Sequence, residues 1–152
     1  MHVQKMIFCL ASLAFLTSCT SEILNPVLQR SIPPQGSIVE QSQVPNVWEL
    51  KYQYPGDVEV AIQYSRRALI QDSFTNCTKY SGIEWRSYFG IRNGETVSGL
   101  RHLEFLFSPK NSSVASLESF KGTDGGTVYL QINSVKSSEV VEDQRRAICR
   151  DE

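Results

Sequence analysis

Few side chains in this chain have the types and spacing for chemistry. His102 and Glu104 alternate along one segment and Ser87 lies in a neighbouring one. A histidine, a carboxylate and a hydroxyl are the parts of a nucleophilic triad. No Gly-x-Ser-x-Gly elbow accompanies them, so His102 reads as a surface strand histidine. Glu84 and Glu104 fall on adjacent expected strands, where a carboxylate pair would suit glycoside hydrolysis. Opposite Arg86 and Arg101, they read more simply as exposed cross-strand ion pairs. Gly122-Thr123-Asp124-Gly125-Gly126 has the glycine content of a phosphate cradle. It lacks the trailing Lys-Ser/Thr and the following helix, so it reads as a hairpin turn. The expectation is a protein without catalytic residues or cofactor.

Two other sets point to binding. Arg66-Arg67 and Arg145-Arg146 are basic doublets, one on each of two expected helices. Side by side they would form one basic stripe for an anionic partner or lipid headgroup. Tyr88 and Tyr129 fall on expected outer sheet faces near Leu106 and Phe120. An exposed aromatic and aliphatic face of that kind marks a protein-binding surface.

Composition narrows the classes. The chain has 152 residues, 41% hydrophobic and 20% charged, with 15 Lys+Arg against 16 Asp+Glu. This excludes a highly charged disordered chain, and the lack of basic excess argues against a nucleic-acid binder. One domain is the expected content.

The first residues have the order of a secretory leader. Lys5 precedes the apolar run Met6 to Leu16, which is too short to span a bilayer at roughly 20 residues. The run ends in Leu16-Thr17-Ser18-Cys19. This resembles the lipobox of bacterial lipoproteins: an aliphatic residue, two small residues, then cysteine. The resemblance covers the first nineteen residues. It implies a signal peptide over 1–18, removal of that peptide, and acylation of Cys19, so that lipid ties the chain to a membrane. Thr20 follows in place of Asp, which in the enteric sorting pattern implies the outer membrane, with the domain facing the periplasm.

With Cys9 in the leader and Cys19 lipidated, Cys77 and Cys149 remain. An even pair in an exported chain reads as one disulfide; two free thiols or a redox pair are the alternatives, the latter without Cys-x-x-Cys spacing. Two cysteines and one mature histidine are too few for a dedicated metal site.

Residues 19–46 contain Pro26, Pro33, Pro34 and Pro45. Proline lacks a donor and fixes φ, so the stretch reads as an extended tether. A single α+β domain is expected over 47–152. Trp48, Leu50, Tyr52 and Tyr54 alternate as a strand. Asp57 caps a helix with Val58, Ala61, Ile62, Ser65, Ala68 and Leu69 on one face. Strands follow around Ile83–Ile91, Leu103–Phe107, Ala115–Phe120 and Thr127–Asn133, then a helix from Glu139. The order strand, helix, four strands, helix predicts an antiparallel sheet of about five strands with both helices on one face. That arrangement is similar to helix-grip domains of envelope lipoproteins by fold analogy alone. The functional expectation is a membrane-anchored accessory or assembly subunit working through contacts with another envelope protein. A periplasmic ligand-binding or inhibitor lipoprotein is the alternative, and a peptidoglycan-acting enzyme the third.

Overall fold

The computed structural model describes residues 25–77, 82–92 and 94–150. The expected leader, Cys19, the start of the expected tether and Asn93 of the Asn-Gly turn lie outside the described residues.

The fold is α+β. Three helices, α1 (Pro26–Arg30), α2 (Val58–Gln71) and α3 (Ser138–Ile148), accompany seven strands among the described residues. The strands are β1 (Ser37–Val44), β2 (Val47–Tyr54), β3 (Thr75–Asn76), β4 (Arg86–Arg92), β5 (Glu95–Ser108), β6 (Ser113–Gly122) and β7 (Gly125–Ser134). They form one antiparallel sheet in the order β1-β2-β7-β6-β5-β3, and β4 pairs with β5 beside β3.

The prolines of the expected tether punctuate structure instead of preventing it. Pro26 opens α1, where an N–H would have no helical partner. The Asn25 side chain caps that helix, accepting from the Val27 and Leu28 amides. Pro33 and Pro34 separate α1 from β1. Pro45 and Asn46, the latter at φ 65°, turn β1 into β2. Leu28 is buried in the main core. Ser65 donates from α2 to the Ser31 carbonyl at 2.6 Å and accepts from the Tyr52 hydroxyl at 2.7 Å. Residues 25–46 therefore belong to the domain, and the extended tether expected there is corrected.

The helix α2 follows its sequence pattern. Asp57 accepts from the Glu59 amide at the N-cap, and the six residues expected on one face are the six that are buried. That face packs on Leu106, Ala115, Leu117, Val128, Leu130 and Ile132. Successive strand residues point to opposite faces. Phe107 and Val114, neighbours of Leu106 and Ala115, accordingly pack with Val141 of α3 in a second cluster. So α2 and α3 lie on opposite faces, not together. The helix-grip likeness, which needed both on one face, goes with that correction. The sequence signal failed because β5 and β6 are apolar on both faces at this end, and alternation alone does not assign a helix to either.

Cys77, just past β3, and Cys149, at the end of α3, are joined by a disulfide with Cα atoms 5.6 Å apart. It pins α3 to the sheet edge beside β3.

Candidate functional site

The β4–β5 hairpin is an arm. Only from Leu100 onward does β5 pair with β6; residues 95–99 pair with β4 alone. Gly99, at that departure point, has φ 129°, a backbone open to glycine. The arm curls over the sheet face opposite α2. Tyr88 stacks on Phe120 (ring centroids 5.6 Å apart), and Phe120 meets Tyr129 edge-on at 5.8 Å. Arg92, at the arm's tip, lies 4.0 Å over the Tyr129 ring and pairs with Glu118. Arg101 pairs with the other Glu118 oxygen at 2.7 Å and covers the Tyr88 ring. Glu118 is thus a nearly buried carboxylate clamped by two guanidinium groups.

The structure brings Tyr88, Tyr129 and Phe120 together as expected, but as packing beneath the arm. Phe120 is buried. Leu106 is in the α2 core on the other face, because it shares parity with Glu104 and not with Phe105. The expected open aromatic surface is therefore corrected. What the arm exposes instead is its convex side: Phe89 at 79% and Ile91 at 74%, with Leu100 beside Ser87. Within the segment read from sequence as one strand, Ile83 and Trp85 pack on the core, whereas Phe89 and Ile91 do not. The available signal was the Asn-Gly turn at 93–94, which makes 86–101 a hairpin with no third strand along most of its length.

A second constellation sits at the arm's root. His102 and Glu104 are 3% and 1% exposed, so neither is the surface residue expected. Arg66, reaching from α2, donates through Nε to both Glu104 oxygens at 2.8 and 3.0 Å. The His102 Nδ1 lies 3.1 Å from the Glu84 carbonyl, and Nε2 lies 3.6 Å from Glu104 Oε1. Trp85 meets His102 edge-on and donates from its indole nitrogen to Glu59 at 2.9 Å. Beside them a cleft of about 450 Å³ opens at the β5 edge between β3 and β4, lined among others by Glu84, Arg86, Arg101 and His102. Glu84 pairs with Arg86 in the open, and no Glu84–Glu104 carboxylate pair forms. Ser87 lines the cleft but makes no contact with His102. Ser119, opposite His102 in the ladder, is fully buried and out of a substrate's reach.

The four arginines of the expected stripe are dispersed. Arg66 is engaged with Glu104, Arg67 is exposed on α2, and Arg145 and Arg146 pair with Glu142 and Asp143 on the other side of the sheet. Opposite placement of the helices forbids the stripe. The Tyr52 side chain is fully buried. Burial raises its phenol pKa well above the usual value, against a smaller opposing effect of the Ser65 hydrogen bond.

No known family matches the chain, and no curated protein matches it.

Proposed function

We propose that the protein is a lipid-anchored protein of a bacterial envelope whose domain binds another envelope protein through the convex side of the β4–β5 arm. The observation that carries the reading is the exposure of Phe89 and Ile91 on that side, 79% and 74%. A large exposed apolar pair on a hairpin is the kind of surface that a protein partner desolvates. Export is supported by the leader pattern and by the Cys77–Cys149 bond, which suits an oxidising compartment.

The short reach from Cys19 to the domain bears on where such an anchor would sit. If lipid is carried on Cys19, the chain to Asn25 spans at most about 20 Å, against about 95 Å for the long tether read from sequence. The domain is then held close to the bilayer. The helix α1 packs with α2, through Leu28 in the shared core and Arg30 on Asp72. The arm lies across the sheet from both. A lipid on Cys19 would then be carried on the helix side, with the arm's apolar side away from the membrane, and this supports a protein over lipid as its occupant.

Two experiments test this in cells that make the protein. Cys19→Ala abolishes incorporation of labelled palmitate; normal incorporation removes the anchor. A photo-crosslinking residue at position 89 gives protein adducts, whereas lipid adducts alone, or none, remove the arm as the binding surface.

A further inference from the structure

The strand β4 pairs with β5 on one side and with no strand of the described residues on the other. Two residues, 93 and 94, connect it to β5, so the flanking pair Arg92 and Glu95 exchanges both of its ladder bonds. Doubly bonded and unbonded pairs alternate along an antiparallel ribbon. Arg92, Gly90, Tyr88 and Arg86 therefore direct their backbone N–H and C=O groups to β5. Ile91, Phe89 and Ser87 direct theirs outward, and no backbone hydrogen bond among the described residues meets them there. All three residues are exposed. The same three present their side chains on the convex side of the arm, Phe89 and Ile91 among them. An edge open in both backbone groups and apolar side chains is a template for another strand.

We propose that this edge is occupied by a second copy of the chain, the two β4 strands antiparallel, with Phe89 of each copy opposite Ile91 of the other. Register selects the arrangement. A shift of one residue sets outward backbone groups against inward ones, so only shifts of two are allowed. A shift of two in one direction puts Phe89 opposite Phe89, but it also sets Arg86 opposite Arg92 twice, and like charges repel. A shift of two in the other direction carries Phe89 past the end of the second copy's β4. In the proposed register both Phe–Ile pairs form, Gly90 faces Gly90 and Tyr88 faces Arg92, with no like charges opposed. Identical antiparallel strands are related by a two-fold axis perpendicular to the ribbon, so both convex sides face one way. The pair then presents four large apolar side chains where one copy presents two. One short strand per copy gives less than the roughly 1,200 Å² of a stable interface, so pairing is weak when the protein is dilute. The pairing itself is a property of the chain alone. That two anchors in one membrane hold the copies close, and that the doubled apolar row receives the envelope partner, rests on the proposed function.

The test mixes equal amounts of two variants of the full chain, Phe89→Cys and Ile91→Cys, purified and concentrated in a thiol–disulfide buffer. Both side chains are exposed, so neither substitution disturbs the core. Opposed residues of a doubly bonded pair have Cα atoms about 5.5 Å apart, within disulfide reach, whereas equal positions of the two copies lie farther apart. The 89–91 disulfide, identified by peptide mass, exceeds the 89–89 and 91–91 disulfides several-fold, beyond the statistical excess of random pairing. A random mixture, or no more linkage than Ile70→Cys gives from its exposed place on α2, overturns the proposal. The unmodified chain gives a second reading. Amide protection at Ser87, Phe89 and Ile91 rises with protein concentration, while Tyr88 and Gly90, already bonded to β5, hold steady. Protection independent of concentration overturns the pairing. A different protein on the edge would leave both readings negative in the purified chain and overturn the pairing too. It would still give adducts of another mass from position 89 in cells, so failure here is distinct from failure of the proposed function.

Discussion

The two faces of the sheet are built on different principles. The face under α2 is a continuous apolar layer from β2 to β5 that encloses two hydrogen-bonded polar sets: Tyr52 to Ser65 to Ser31, and Arg66 to Glu104. The opposite face is covered in two pieces. At one end α3 rests on Phe107 and Val114; at the other the arm rests on aromatic rings and on the Glu118 carboxylate. The first face is held by area removed from water, which cannot be opened locally. The second is held by a disulfide, stacked cations and ion pairs, which can. The partner surface proposed for the arm lies on the second.

The contrast can be broken at its strongest points first. Cys77→Ser with Cys149→Ser opens a loop with a sequence separation of 72. The chain-entropy account puts the loss at about 4 kcal/mol, read as a lowered urea midpoint. The outer helix cluster has few apolar contacts to replace it. Leu69→Ala, wholly inside the α2 core, costs about 3 kcal/mol in the same measurement.

Tyr52 sharpens the comparison through pH. Its folded-state phenol titrates above the unfolded value of about 10. Above that value the unfolded chain releases the proton and the native one keeps it. The native state then binds more protons, so stability falls as pH rises, by up to about 1.4 kcal/mol per pH unit. Unfolding free energies from pH 9 to 11 show this contribution, and Tyr52→Phe removes it. The smallest effect belongs to the arm's convex side. Phe89→Ser with Ile91→Ser changes stability by less than about 0.5 kcal/mol, because both side chains are already in water. A loss of 2 kcal/mol or more in urea would mean that they pack within the chain.

Which parts were legible in the sequence follows the same division. The α2 face was readable residue by residue, because a capped helix with a 3.6-residue stripe admits one buried side. The strands β2, β6 and β7 were recognisable by alternation and turns, and the Cys77–Cys149 pairing by the cysteine count. Residues 26–44 were misread because proline was weighed as a breaker without regard to position; at N1 and in a turn it is compatible with order. The pair Thr75–Asn76 is too short to show a period. Burial of His102 and Glu104 was not readable either. A polar-polar alternation with apolar neighbours looks solvent-facing until Arg66 is seen arriving from an element 38 residues away in sequence. Of the arm, the sequence pattern marks only the β4 strand, and the stretch from Glu95 to Arg101 carries no assignment. That the arm curls over the sheet depends on Gly99 and on Glu118, contacts that no local pattern carries.

The proposed function requires that a lipid on Cys19 and the arm lie on opposite sides of the domain. No cysteine of the described residues is free, so if Cys9 is removed and Cys19 acylated, as proposed, one added cysteine is a unique label site. Labels at Ile70, exposed on α2 near the α1 contact, and at Phe89, exposed on the arm, are compared on vesicles by energy transfer to a dye in the bilayer. Efficient transfer from position 70 and weak transfer from position 89, corresponding to about 20 Å greater distance across two packed layers, is the predicted result. Transfer from position 89 equal to or stronger than from position 70 would contradict the account.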